Sequence, residues 1–119
     1  MGNPFVHVEL LTDDMAKAKD FYGKLFDWKL EDNPATHYTM IGVGKGLGGG
    51  MVKHPVPAAP SQWLPYVEVD DVAAAIAKAK SLGATVCKDV TAIGEYGWYG
   101  VITDPSGASL GLHQMTGKK

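Results

Sequence analysis

The sequence predicts an α+β protein: two βαβββ modules in tandem, forming a curved mixed sheet around a cleft. Three observations predict it. Apolar residues alternate, or recur at helical spacing, in segments ordered strand–helix–strand–strand–strand, and that order then restarts. The two halves match one another residue by residue. Glycine, proline and aspartate stand between the segments as turn and cap signals.

The first strand lies in "NPFVHVELLTDD", where Phe5, Val6, Val8, Leu10 and Leu11 are interleaved with His7 and Glu9. Thr12 or Asp13 is placed to cap the helix that follows. Ala18, Phe21, Tyr22, Leu25 and Phe26 recur at helical spacing, with Lys17, Lys19, Asp20 and Lys24 on the other face. Phe21, Tyr22 and Phe26 are read as core. "WKLED", "HYTMIGV" and "GKGLGGGMVK" supply three strands, and "HPVPAAPSQ", with Pro55, Pro57 and Pro60, is an extended connector. The order restarts with "WLPYVEV", where Pro65 suggests an edge or a bulge. Asp70 and Asp71 can cap a second helix with the apolar stripe Val72, Ala75, Ile76, Ala79 and Leu82, stopped by a left-handed Gly83. "TVCKDV", "GWYGVIT" and "ASLGLHQ" are the last strands, with the turn Asp104-Pro105-Ser106-Gly107 joining the final two. The boundaries are one domain over 1–119, with module one at about 4–53, a linker at about 54–62 and module two at about 63–115.

The repeat sets Thr12 on Val69, so that "LLTDDMAKA" meets "EVDDVAAAI". It sets Tyr38 on Tyr99, Ile41 on Ile102 and Gly46 on Gly107, after a short loop insertion in the second half. One such half is too small to bury an adequate core alone. Its helix covers one sheet face and leaves the other open. Val6, Val8 and Leu10 suit the covered face of the first strand, and Phe5, His7, Glu9 and Leu11 fall on the open one. If the sheet curls, the open face becomes a cleft wall.

Composition excludes several classes. The chain has 119 residues, is 45% hydrophobic and 20% charged, and carries a formal net charge of -2. Beyond Lys118 and Lys119 no basic cluster stands out, so nucleic acid is not an expected partner. No apolar run is long enough to span a membrane, and no signal-peptide pattern precedes Phe5. The single Cys87 excludes an intrachain disulfide and suits a reducing, cytoplasmic location; a buried thiol is expected there. "GKGLGGG" lacks the spacing of a phosphate loop and opens no helix. His37 and His54 read as solvated, Trp28, Trp63 and Trp98 as core or interface. None of Ser61, Ser81, Ser106 and Ser109 has an adjacent histidine.

The paired modules resemble the vicinal oxygen chelate superfamily, which includes glyoxalase I, extradiol dioxygenases, and bleomycin and fosfomycin resistance proteins. The resemblance covers nearly the whole chain and rests on "HVELLTDDMAKAKDFYGKLFDW" and "TDPSGASLGLHQ". It implies the glyoxalase/bleomycin resistance/dioxygenase fold, and a divalent metal held by His and Glu from the first and fourth strands of each module. On this chain those positions fall at His7, at Gly50 (or Gly49 with a register slip), at Leu64 and at Gly111. Only His7 can ligate, and one imidazole holds a metal weakly. No cofactor, and in particular no divalent metal, is therefore expected. The glycines at Gly50 and Gly111 are expected to widen the cleft.

By parity Glu9, Glu68 and His113 share the cleft face with His7. The expected ligand pocket is His7, Glu9, Tyr66, Glu68 and His113, with Tyr38 or Tyr99 as further contributors. Three readings follow. The first is a metal-free cleft that binds or sequesters a small metabolite or drug. The second is a lyase, isomerase or dioxygenase relative, using a metal displaced onto His7, Glu9 and His113, or His7 and Glu9 as acid–base groups. The third is a structural or interaction module with a closed cleft. The resemblance also implies a homodimer.

Overall fold

The computed structural model describes residues 2–55, 60–93 and 97–115. Among them ten elements follow in the expected order: β1 (Phe5–Thr12), α1 (Met15–Leu25), β2 (Lys29–Asn33), β3 (Tyr38–Gly42), β4 (Gly49–Lys53), β5 (Gln62–Glu68), α2 (Val72–Ser81), β6 (Thr85–Ala92), β7 (Trp98–Thr103) and β8 (Ser109–Gln114). Pro57, Lys118 and Lys119 lie outside the described residues. The chain divides into two compact units. The first is His7–Leu64. The second runs from Pro65 onward and takes in the residues up to Val6.

In the first unit the strands lie in the order β2-β3-β4-β1. β3 runs antiparallel to β2 and β4, while β1 is parallel to β4, with Val8 opposite Gly49 and Glu9 opposite Gly50. In the second unit the order is β5-β8-β7-β6. There β5 is parallel to β8, with Tyr66 opposite Gly111, and β7 is antiparallel to β8 and β6. The two units repeat one βαβββ plan, each a mixed four-stranded sheet with a helix on one face. The parallel pair closes through a crossover helix, as parallel strands require.

The first core is Leu10, Ile41 and Met51, against which Met15, Ala18, Tyr22, Trp28, Leu30 and Val43 pack. Met15, Ala18 and Tyr22 follow helical spacing and turn one line of α1 to the sheet. Phe21, one position from Tyr22, lies off that line and is 56% exposed; Phe26, at the C-cap, is 45% exposed. Tyr22 alone of the three therefore joins the core, and Phe21 and Phe26 do not. Tyr22, Phe26, Trp28 and Trp63 form an aromatic cluster instead, with ring centroids 4.8 to 6.4 Å apart. The helix cap also differs from expectation. Thr12 is buried as the last residue of β1, and Asp14 accepts from the Lys17 amide at 3.0 Å.

The second core is Val72, Ile76 and Leu112, with Val69, Ala75, Val86, Trp98 and Ile102 around it. Burying each large side chain contributes about 1.5–3 kcal/mol. Asp71 caps α2 through the Ala74 amide, and Gln114 Oε1 accepts from the Val72 amide at 2.9 Å, which ties the end of β8 to the start of α2. Leu82 is not on the buried stripe: it is the C-cap and 68% exposed, and Gly83 follows with φ +101°. At Gly100 a Cβ would come within 2.7 Å of Ile76 Cδ1, so this glycine lets α2 lie close on β7. Cys87 is exposed, contrary to expectation. Val86 takes the inward position of β6, so alternation turns the thiol outward, where its Sγ lies 2.8 Å from Thr103 Oγ1. Asp104 builds the predicted turn by accepting from the amides of Ser106 and Ala108 and from the Ser106 hydroxyl. These bonds hold its carboxyl below the usual range.

Candidate functional site

Each unit leaves one sheet face uncovered by its own helix. In the first unit Leu10, Ile41 and Met51 turn to α1. Alternation then places His7 and Glu9 of β1, Tyr38 of β3 and Gly50 of β4 on the opposite face. Gly50 is the cross-strand partner of both Glu9 and Met40. Tyr38, two residues before Met40, reaches diagonally toward it. A Cβ built on Gly50 would overlap the ring and hydroxyl of Tyr38.

The Tyr38 hydroxyl lies 2.8 Å from His7 Nε2, with the two rings stacked at 23°. It is also hydrogen-bonded to Glu9. Burial pushes the phenol well above the usual tyrosine range, and the charge and hydrogen bond of Glu9 push it further. The phenol thus stays protonated, within hydrogen-bonding reach of both the carboxylate and the imidazole. The phenol oxygen also meets His7 Nε2, whose donor or acceptor role is set by the imidazole tautomer. Tyr38 joins the histidine and glutamate that the sequence places two residues apart.

In the second unit the corresponding face carries Tyr66 and Glu68 of β5, Tyr99 of β7, and Gly111 and His113 of β8. Tyr66 stands opposite Gly111, and His113 stands opposite both Glu68 and Tyr99. A Cβ on Gly111 would overlap the ring of Tyr66. The Tyr66 and Tyr99 rings lie 6.3 Å apart at 58°. His113 Nδ1 is buried with no hydrogen-bond partner among the described residues.

The expected pocket residues therefore fall into two groups. His7 and Glu9 belong to the first unit, while Tyr66, Glu68 and His113 belong to the second. The glycines do not widen a cleft. In each unit a tyrosine ring occupies the space over the glycine, from β3 in the first and from β5 in the second. A glycine on a strand exposes bare backbone, and a neighbouring aromatic ring that lies over it restores the lost packing. Composition alone missed this role of Tyr38. The repeat does not signal it, because it sets Tyr38 on Tyr99, whereas the ring over Gly111 is that of Tyr66.

These observations test the divalent metal that the resemblance implies. Of its four ligand positions, His7 alone bears a donor. Gly50 and Gly111 lie under tyrosine rings, and Leu64 is an apolar side chain only 2% exposed. Among the described residues no group of three or more His, Cys, Asp or Glu is placed to hold a metal ion. The residues present do not fit the ion at those positions. No described helix is long and apolar enough to cross a membrane.

Comparison with known proteins agrees with this architecture. The chain is 36% identical over 115 residues to proteins of Mycobacterium bovis and Mycobacterium tuberculosis that carry the name "Putative glyoxylase CFP32". The match takes in 90% of this chain and 44% of theirs, so the chain spans less than half the length of these relatives. In structure it is similar to a hypothetical protein of Bacillus halodurans, with a TM-score of 0.66 at 14% identity, covering 100% of this chain and 99% of the other. It is similar also to methylmalonyl-CoA epimerase of Mycobacterium tuberculosis, with a TM-score of 0.65 at 14% identity, covering 94% and 87%. At such identities the structural likeness bears on the fold alone. The family described as Glyoxalase/Bleomycin resistance protein/Dioxygenase superfamily matches residues 5–112, from the first strand to within the last. Twin βαβββ units, the mycobacterial relatives and this match over nearly the whole chain lead to one conclusion: the chain belongs to the glyoxalase/bleomycin resistance/dioxygenase superfamily.

Proposed function

We propose that this chain binds a small molecule on its open sheet faces without a resident metal. One observation carries the reading: tyrosine rings stand over Gly50 and Gly111, where the resemblance puts metal ligands. Aromatic walls with a few convergent polar groups suit a small, neutral, partly aromatic ligand better than an ion. Binding or sequestration of a metabolite or drug needs no metal and no reaction.

The test has two parts. Metal analysis of protein purified without chelator is expected to find only substoichiometric divalent metal. A panel of planar aromatic compounds is expected to include members that quench tryptophan fluorescence saturably. Stoichiometric zinc, nickel or iron that is lost in His7→Ala overturns the metal-free reading, and a panel without a single binder overturns the binding role.

The hydrogen-bonded group of His7, Tyr38 and Glu9 favours a second reading, lyase or isomerase chemistry by proton transfer, which the glyoxylase name of the mycobacterial relatives also supports. On that reading Glu9 and Tyr38 orient the imidazole, and His7 exchanges a proton with the substrate. Turnover of the hemithioacetal of methylglyoxal and glutathione, abolished in His7→Ala, decides for it. The exposed Phe21, Leu25 and Phe26 give a second copy of the chain a reason to associate as the expected homodimer. Sedimentation at a single monomer mass would remove that part of the proposal.

A further inference from the structure

We infer that the open face of the second unit is a subsite for a neutral phenol, whose hydroxyl supplies the hydrogen bond that His113 Nδ1 lacks among the described residues. The inference rests on the small-molecule reading above and specifies the chemistry of one of its faces. Among the described residues, His113 Nδ1 is the buried side-chain nitrogen or oxygen without a partner. A buried polar atom left unpaired is costly, so its retention points to a group that arrives from outside the chain.

The surroundings narrow the ligand. Directly across the strands from His113 stand Glu68 and Tyr99, and the next position along the same face of β8 is Gly111 under the Tyr66 ring. A carboxylate at Glu68 repels a second anion, so carboxylates and phosphates are poor candidates. A metal ion would need further ligands, and no qualifying group of His, Cys, Asp or Glu occurs among the described residues. Tyr99 is half-buried and tilts on the Tyr66 ring, itself only 5% exposed, so a third ring would meet chiefly the Tyr99 side of the pair. A hydroxyl both donates and accepts, so it satisfies Nδ1 in either tautomer of the imidazole. A neutral aromatic ring carrying a hydroxyl meets all four conditions.

The experiment uses the full chain, labelled with nitrogen-15, and two probes of nearly the same shape. The first is p-cresol; the second is 4-methylanisole, in which a methyl group blocks the hydroxyl. The imidazole nitrogens are followed by long-range proton–nitrogen correlation spectra. The expected result is a saturable shift of the His113 Nδ1 resonance with p-cresol, on the order of tenfold tighter binding of p-cresol than of 4-methylanisole, and loss of that preference in His113→Phe. Should His113→Phe fail to fold, the two-probe comparison on the unaltered chain decides alone. Equal binding of the two probes overturns the inference, as does an Nδ1 resonance that p-cresol leaves unmoved. If p-cresol perturbs only His7 and Tyr38, this subsite falls while the small-molecule reading stands. If no compound of the aromatic panel binds anywhere, both fall.

Discussion

Replacing Gly50 by alanine tests the tyrosine cover directly. The new methyl group would occupy space that the Tyr38 ring and hydroxyl now fill. The backbone of β4 is held by β1 on one side and β3 on the other, so the side chain yields rather than the strand. Tyr38 must swing away, and its hydrogen bonds to His7 and Glu9 break. A bond to a neutral partner and one to a carboxylate together contribute about 2–3 kcal/mol. Removing a glycine from a strand interior returns about 0.5–1 kcal/mol. The net cost is about 2 kcal/mol, or a fall in melting temperature of ~8 °C for a chain of this size. Urea unfolding of the single variants Gly50→Ala and Tyr38→Ala, and of the double variant, closes the cycle. With Tyr38 already truncated, Gly50→Ala should cost nothing or stabilise by up to about 1 kcal/mol, which makes the coupling energy about 2–3 kcal/mol. Additive effects, with Gly50→Ala equally costly in both backgrounds, would refute the assignment of Tyr38 to that space.

Gly49→Ala should behave differently from its neighbour: its methyl would meet the Val8 carbonyl, which is backbone and cannot turn aside, so a loss of more than about 3 kcal/mol is expected whether or not Tyr38 is present, read by the same urea titrations. Because the folded-state pKa of Tyr38 is raised, its contribution is complete below the unfolded value of about 10 and is lost as pH climbs beyond it. Stability of the unaltered chain should thus fall more steeply above pH 10 than that of Tyr38→Phe, and parallel curves would count against the buried phenol. Asp104 works in the opposite sense: its lowered pKa gives a contribution present at neutral pH and lost on acidification below about 4, so the melting temperatures of Asp104→Ala and the unaltered chain should converge in acid. The exposed Cys87 thiol should react with a water-soluble disulfide reagent in the folded state, and protection until unfolding would contradict its placement.

The local plan of the chain was legible from residue order. Alternation in "FVHVELL", the 3.6-residue spacing of Val72, Ala75, Ile76 and Ala79, and the turn chemistry of Asp104 and Gly107 are short-range properties, and each is enough to define its element. The repeat extended this reach, since matching halves must adopt matching topologies. Parity assigned His7 and Glu9 to one face because side chains in a strand have no other choice. The misreadings arose where depth depends on neighbours. Periodicity cannot say how wide a stripe the sheet covers, so it offers Phe21 and Phe26 to a core that receives only Tyr22. Nor can it say which face of β6 is inward, so the buried thiol it suggests at Cys87 is exposed in the fold.

The sequence by itself determined two βαβββ units and a set of ligand positions bearing one imidazole in place of four donors. The units follow from backbone periodicity and the internal repeat, and the ligand positions from the resemblance to the vicinal oxygen chelate superfamily. Only the tertiary structure decided what stands in the vacated positions. Glycine marks an absence in the sequence; the register of β3 on β4, and of β5 on β8, brings a tyrosine over each one. The same pairing joins His7 to Glu9 through Tyr38 and leaves His113 Nδ1 buried without a hydrogen-bond partner among the described residues. Partners so far apart along the chain meet only through strand pairing, and no local pattern of residues encodes that.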